Sequence, residues 1–296
     1  MKSLISTLAA LGFAVAANAA TPIQSEFFYQ AETDNNVLTP ELTYDTMSIK
    51  AKGGGKMEVS GQVLNLTYER GINDMFSAGA TIGYTTTSNE TTGSADEDTK
   101  GLNDITFFGK GRYAFTEDGS MHYGANLHFS PSDKETDSTG TTTEVDAVSG
   151  GNTLQPWVGY QWLFGSNVFG LKLQMDMALG DRTLKTKGST AKTTETGGET
   201  TEFSLFYEMP HEMGAVGFVG FYQTVTETET KTSGTTTKGD DDYTLMGLGV
   251  YSPYKFSETA EVIGELTYST ITSDFGTTKL DSSSDLQISV AGRFMF

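Results

Sequence analysis

The sequence predicts an all-β fold: a closed antiparallel transmembrane β-barrel of about twelve strands, with long outer loops and short periplasmic turns. Three observations carry that expectation. The last twelve residues, Asp285 to Phe296, read D-L-Q-I-S-V-A-G-R-F-M-F and put Leu286, Ile288, Val290, Gly292, Phe294 and Phe296 on one parity. Strand side chains alternate between two faces, so this segment has one apolar wall, one mostly polar wall and an aromatic end. The same alternation recurs up the chain, and the connections alternate between short and long, as they do in membrane barrels.

Taken in order, the chain opens with Met1-Lys2, an apolar run from Leu4 to Ala16, and Ala17-Asn18-Ala19. Residues 1–19 therefore read as a cleaved export signal, the run being shorter than the roughly 20 residues of a membrane helix. Residues 20–38 follow as a periplasmic N-terminal extension or a lumen insert. Ile23 to Ala31 alternates like a strand, so the other alternative is that it spans and the strand count is wrong; the extension is the preferred reading. The barrel is expected over 39–296.

The clearest strands are 76–87, 102–115, 121–130, 152–163, 168–180, 201–210 and 285–296. In 168–180, Phe169, Leu171, Leu173, Met175, Met177 and Leu179 oppose Gly170, Lys172, Gln174 and Asp176. Each run is long enough for the 9 to 11 tilted residues that cross a bilayer. Segments 41–51, 57–69, 215–226, 243–254 and 260–272 complete twelve, with mixed faces. Gly53-Gly54-Gly55 forms the first outer hairpin. Pro156 sits on the lipid parity, where a closed barrel offers no free edge, and a local bulge is expected there.

Composition agrees with this architecture. A hydrophobic content of 36% and a mean hydropathy of −0.30 suit a barrel, because only every second strand residue meets lipid. The absence of cysteine excludes a disulfide framework and thiolate chemistry. A net charge of −19 excludes nucleic acid as a partner, since an acidic surface releases no counterions from phosphate. Five long segments, 88–101, 131–151, 181–200, 229–242 and 273–284, carry −3, −4, +1, −2 and −1, so −9 lies in the outer loops. Their Thr, Ser, Gly and acid content predicts mobility.

Selectivity in a barrel belongs to the inner parity. That parity collects Glu69, Asp104, Asp176, Glu202, Glu208, Glu261 and Glu265 against Lys110, Arg112, Lys172 and Arg293, with Gln155, Gln161, Gln174, Asn65, Asn126, His122 and His128 between. Trp157 shares the wet face. These residues predict a hydrated, acid-leaning lumen. The alternative is that the charges pair across the interior and close it, for example Lys110 and Arg112 with Glu202 and Glu208. Tyr84, Phe115, Tyr160, Trp162, Tyr268 and Phe294 read as interfacial girdles.

No metal or cofactor is indicated. His122 and His128 stand six residues apart, roughly 20 Å by strand rise, too far to share a metal. Asp96-Glu97-Asp98 and Asp240-Asp241-Asp242 lack the ligand spacing of a calcium loop and read as solvated charge. Asn126, His128 and Ser130 line one strand face, but same-face neighbours sit roughly 6.5 to 7 Å apart, which does not make a hydrolase triad.

Gly101-Leu102-Asn103-Asp104-Ile105, followed by Phe108-Gly109-Lys110-Gly111-Arg112-Tyr113, resembles a segment of the transporters grouped as the MetA-pathway of phenol degradation family. The resemblance covers one strand and its lead-in. It implies a twelve-stranded outer-membrane barrel and uptake or tolerance of small organic compounds.

The expected function is therefore an outer-membrane channel for small solutes and not an enzyme. The expected partners are outer-membrane lipids and the barrel assembly machinery, through the C-terminal strand ending in Phe296. Two alternatives stand beside it: a plugged surface barrel acting through its Thr-rich loops, and a lipid-modifying hydrolase.

Overall fold

The computed structural model describes residues 25–139, 142–189, 192–232, 234–239, 242–274 and 279–296. The export signal, Ile23 and the pair Asp240-Asp241 lie outside them. Nineteen strands occupy the described residues: β1 (Asn36–Ala51), β2 (Lys56–Asn73), β3 (Phe76–Thr91), β4 (Asp96–Leu102), β5 (Ile105–Thr116), β6 (Gly119–Phe129), β7 (Lys134–Thr139), β8 (Thr142–Asp146), β9 (Thr153–Phe164), β10 (Asn167–Ala178), β11 (Arg182–Thr186), β12 (Lys192–Gly197), β13 (Thr200–His211), β14 (Gly214–Val225), β15 (Thr228–Thr232), β16 (Thr235–Lys238), β17 (Tyr243–Ser257), β18 (Ala260–Ile271) and β19 (Leu280–Met295).

Twelve of them form the wall. β1, β2, β3, β5, β6, β9, β10, β13, β14, β17, β18 and β19 pair antiparallel in that order. β1 then closes on β19, from Val37↔Met295 to Ala51↔Leu280. Closure leaves the sheet no free edge, so the wall strands find ladder partners on both sides, which hydrocarbon cannot supply. The short turns 74–75, 117–118, 165–166, 212–213 and 258–259 gather at the rim that holds both ends of the wall, Asn36 and Met295. By the rule of short inner and long outer connections, that rim is periplasmic.

The alternation sorts as the sequence indicates. On β2, Leu64, Leu66 and Tyr68 are exposed on the outside while Glu69 is 4% exposed. Ile288, Val290 and Phe294 of β19 face out, with Ala291 and Arg293 buried on the other parity. β14, apolar on both faces, has a reason for being so. Phe218 and Tyr222 meet lipid, Val219 packs into an internal aromatic cluster, and the Phe221 ring lies where a Cβ on Gly247 would fall, 2.3 Å away. Exposed Phe115 and Tyr160, with Trp162, Phe169 and Tyr207, form a chain of rings 4.5 to 6.4 Å apart near the short turns.

Two expectations need correction. No bulge forms at Pro156. The register of β9 on β10 is unchanged between Gln174↔Trp157 and Met177↔Leu154, the ladder lacks pairs at Gln155 and Pro156, and pairing with β6 runs on through Ala125↔Pro156. The missing N–H is thus absorbed by a local gap in one ladder.

The long segments, expected to be mobile, are largely strands. β4 pairs in parallel with β8, and β7 with β11. Antiparallel pairs β7·β8, β11·β12, β12·β15 and β15·β16 carry the sheet beyond the wall. Threonine suits a pleated surface and pairs across strands, as Thr193 and Thr232 do with hydroxyls 2.9 Å apart. Lys187 meets Asp137 at 2.7 Å, and the Lys185 ammonium, hydrogen-bonded to Asp133, holds that carboxyl below its ordinary range.

Val250 lies midway along β17 on the lipid face, 40% exposed. Val250→Arg should destabilise the folded barrel by about 2–4 kcal/mol in urea titrations in phospholipid vesicles, whereas Thr267→Arg on the wet face should cost less than about 1 kcal/mol. Equal costs would mean the two faces are wrongly assigned.

Candidate functional site: the barrel lumen

The chain enters β1 at the periplasmic rim, where Asn36 exchanges backbone hydrogen bonds with Phe296 at 3.0 and 2.9 Å. The residues before it fold back into the bore. Asp34 takes a left-handed conformation (φ 64°), which aspartate tolerates better than most residues, and Thr33 bridges Gly71 in parallel. A Cβ on Gly71 would fall 1.7 Å from the Glu32 carbonyl oxygen, so only glycine lets the segment lie this close to β2.

From Ser25 to Ala31 the segment is hydrogen-bonded to five wall strands. Ser25 Oγ donates to Gln161 of β9 at 2.5 Å, and the Glu26 N–H donates to Glu208 of β13 at 2.9 Å. Arg293 of β19 binds the Glu26 carboxylate at 2.5 and 2.9 Å and also donates to Glu261 of β18. Lys110 of β5 donates to the Tyr29 carbonyl at 3.1 Å and to Glu69 of β2 at 2.8 Å, and Glu69 accepts the Ala31 N–H at 2.9 Å. Ala31 is fully buried and Gln30 is 3% exposed.

The rings are seated as firmly. Phe28 stacks on His122 with centroids 4.6 Å apart and planes 4° apart, and lies 5.9 Å from Trp157. Phe27 stacks on Phe206 at 4.3 Å, and Tyr29 lies under the Arg293 guanidinium at 3.5 Å. Space comes from glycines: a Cβ on Gly159 would fall 2.1 Å from the Phe28 ring, and one on Gly170 2.2 Å from that of Phe206. Removing one partner from a buried, hydrogen-bonded ion cluster costs about 3–5 kcal/mol, so the Glu26–Arg293–Glu261 contact is the strongest single tie.

Beyond the segment the bore changes character. Toward the outside Glu41, Asp45, Glu265 and Asp285 face inward from adjacent β1, β18 and β19; Ser289 donates to Glu41 at 3.1 Å and Thr267 to Glu265 at 3.2 Å. Glu265 and Gln287 are exposed although they point inward, so this half of the bore is open to water. On the opposite side residues 147–151 turn in from the outer sheet, with the Ser149 N–H on Asp104 at 3.1 Å and Val148 6% exposed. Between them and the wall lies a cavity of about 430 Å³ bordered by Asn65, Asn103, Asp104, Thr106, His128 and Lys134.

The eleven charged residues of the inner parity, with His122, His128 and Trp157, thus divide. Glu69, Lys110, Arg112, His122, Trp157, Glu208, Glu261 and Arg293 surround the inserted segment, while Asp104 and His128 border the outer cavity. Glu202, which accepts from Ser204 at 2.7 Å, Lys172, Asp176 and Glu265 face the bore between or above them. The alternative network fails as drawn. Lys110 pairs with Glu69, Arg112 donates to the Asp74 carbonyl, and Glu208 accepts from Tyr251, so neither base pairs with Glu202 or Glu208. Asn126 donates to Gln155, His128 meets Thr106 and Ser130 donates to the Ser132 carbonyl, so the three share no hydrogen bond.

Sequence reasoning missed Glu26, Phe27, Phe28 and Tyr29 as site residues, together with inward Phe206, Tyr251, Glu41, Asp45 and Asp285. The last three were legible: Glu41 and Asp45 alternate with Leu42 and Tyr44, and Asp285 shares the wet parity of Gln287 and Ser289.

Among solved structures, the chain is similar to the COG4313 outer membrane channel from Pseudomonas putida F1, at 12% identity and a TM-score of 0.65, over 93% of this chain and 100% of that one. It is also similar to the translocator domain of the autotransporter NalP from Neisseria meningitidis, at 12% identity and a TM-score of 0.54, over 100% and 98%. The fold is that of an outer-membrane β-barrel. No family model and no curated protein sequence matches the chain.

Gly159→Val should force Phe28 out of its slot, an overpacking cost of about 1–3 kcal/mol. A Ser25→Cys reporter, at a position 5% exposed in the parent, should then react with a water-soluble maleimide about tenfold faster. Unchanged labelling would show that the segment is not seated there.

Proposed function

We propose that this protein is an outer-membrane channel for small solutes whose N-terminal segment closes the periplasmic half of the bore and yields to let solute pass. The observation that carries this reading is the contrast between the two halves. The outer half is a wet passage lined by Glu41, Asp45, Glu265 and Asp285. The inner half is filled by residues 25–35, an appendage joined to the wall at one end, whereas the wall itself is complete without it.

A closure made of a terminal segment is released by breaking a finite set of contacts, chiefly Arg293 with Glu26 and the two ring stacks. Clustered carboxyl groups on neighbouring strands give the passage a negative potential, so cations and neutral or zwitterionic solutes are favoured over anions. The resemblance of Gly101–Ile105 and Phe108–Tyr113 to transporters of the phenol-degradation group supports small organic compounds as cargo.

In planar bilayers the parent should show small or infrequent openings. The full-length chain carrying Phe27→Ser and Phe28→Ser should conduct several-fold more, with a cation preference under a salt gradient that falls on Glu265→Gln plus Asp285→Asn. Absence of current from both the parent and the released variant would refute the channel.

A further inference from the structure

The inserted segment reads as a ligand. Besides two rings, it presents to the wall a set of polar groups that the wall needs. Its N–H groups at Glu26 and Ala31 go to Glu208 and Glu69, each at 2.9 Å. Its Tyr29 carbonyl goes to Lys110 at 3.1 Å, and its Glu26 carboxylate to Arg293 at 2.5 and 2.9 Å. Withdrawing the segment leaves two carboxylates short of donors, and an ammonium and a guanidinium short of acceptors, all beside the ring slots on His122, Trp157 and Phe206. Buried polar groups left unpaired are costly, so an occupant that also serves the Glu208 carboxylate and the Arg293 guanidinium is selected over one that supplies only rings.

We infer that the lumen site holding Ser25 to Ala31 is a recognition site for short aromatic peptides of zwitterionic type, which compete with the N-terminal segment for it. The inference rests on the channel reading for its biological use, and on the contacts alone for its chemistry. Glu26 by itself gives its N–H to Glu208 and its carboxylate to Arg293, so the site for a donor and the site for an anion are one residue apart. A dipeptide spans that separation with an ammonium at one end and a carboxylate at the other. Its side chains take the places of Phe27 on Phe206 and Phe28 on His122. Gly159 and Gly170 leave the floor open for flat rings and not for bulk added to the wall. Net neutrality also suits passage through the acidic outer half.

The test uses intrinsic fluorescence, because the chain has two tryptophans, Trp157 in the site and Trp162 on the other parity of the same strand. In full-length protein carrying Trp162→Phe, Phe27→Ser and Phe28→Ser, folded in detergent micelles, phenylalanyl-phenylalanine should change Trp157 emission saturably. The Trp162→Phe protein with its segment intact should bind about tenfold more weakly, because the segment competes. Acetylating the dipeptide amine or amidating its carboxylate should each weaken binding about tenfold or more, and adding Gly159→Val should abolish it. If the double serine variant does not fold, Phe28→Ala with Trp162→Phe gives the same readout. No saturable response to the dipeptide, or an equal response to the doubly capped form, would overturn the inference. Conductance is read separately: binding without current refutes the channel and leaves the site standing, and current without binding does the reverse.

Discussion

Everything in this molecule follows from the requirement that a backbone in hydrocarbon satisfy its own hydrogen bonds. The twelve-strand ladder meets it by joining β1 to β19, and closure fixes which parity of each strand is wet. Once the wet parity is fixed, charged residues such as Glu69, Lys110, Glu208, Glu261 and Arg293 have only the interior to go to. An interior narrow enough to bury them must supply partners. Some come from neighbouring strands, and the rest come from the chain's own N-terminal segment.

That second supply links architecture to mechanism. Glu69 accepts from Ser77 and Lys110 and still takes the Ala31 N–H; Glu208 accepts from Tyr251 and still takes that of Glu26. Arg293 divides itself between Glu261 of the wall and Glu26 of the segment. The wall is therefore closed alone as a ladder and incomplete alone as a set of polar groups. That combination describes a binding site better than a solid core, where apolar packing would leave nothing for a segment or a solute to satisfy.

The fold was legible in the sequence because its cause is local. Alternation in Phe169 to Leu179 or Leu286 to Phe296 reports the lipid face directly, and the short turns mark one rim. What was not legible depended on contacts between distant parts of the chain. The parallel pairing of β4 with β8 joins two Thr-rich segments that each look unable to fold, and it makes sheet from expected disorder. The inserted segment was hidden in another way. A lumen insert was one reading of residues 20–38, but the strand-like alternation of Ile23 to Ala31 does not say what the segment meets, and its role exists only because Arg293, Phe206 and His122 converge from three strands. The inward glycines at 159, 170 and 217, unremarkable in a strand reading, are where the rings of Phe28, Phe206 and Tyr251 lie.

In the resting protein residues 25–35 occupy the periplasmic half of the bore. Hydrogen exchange on the folded barrel in micelles tests it most directly, at the amides of Glu26, Tyr29 and Ala31. Each donates within the barrel, to Glu208, to the Glu26 carbonyl and to Glu69. Protection factors approaching those of the wall strands would bear the account out. Exchange at the rate of an unstructured peptide would show that the segment hangs free in the periplasm, and the closed bore would be contradicted.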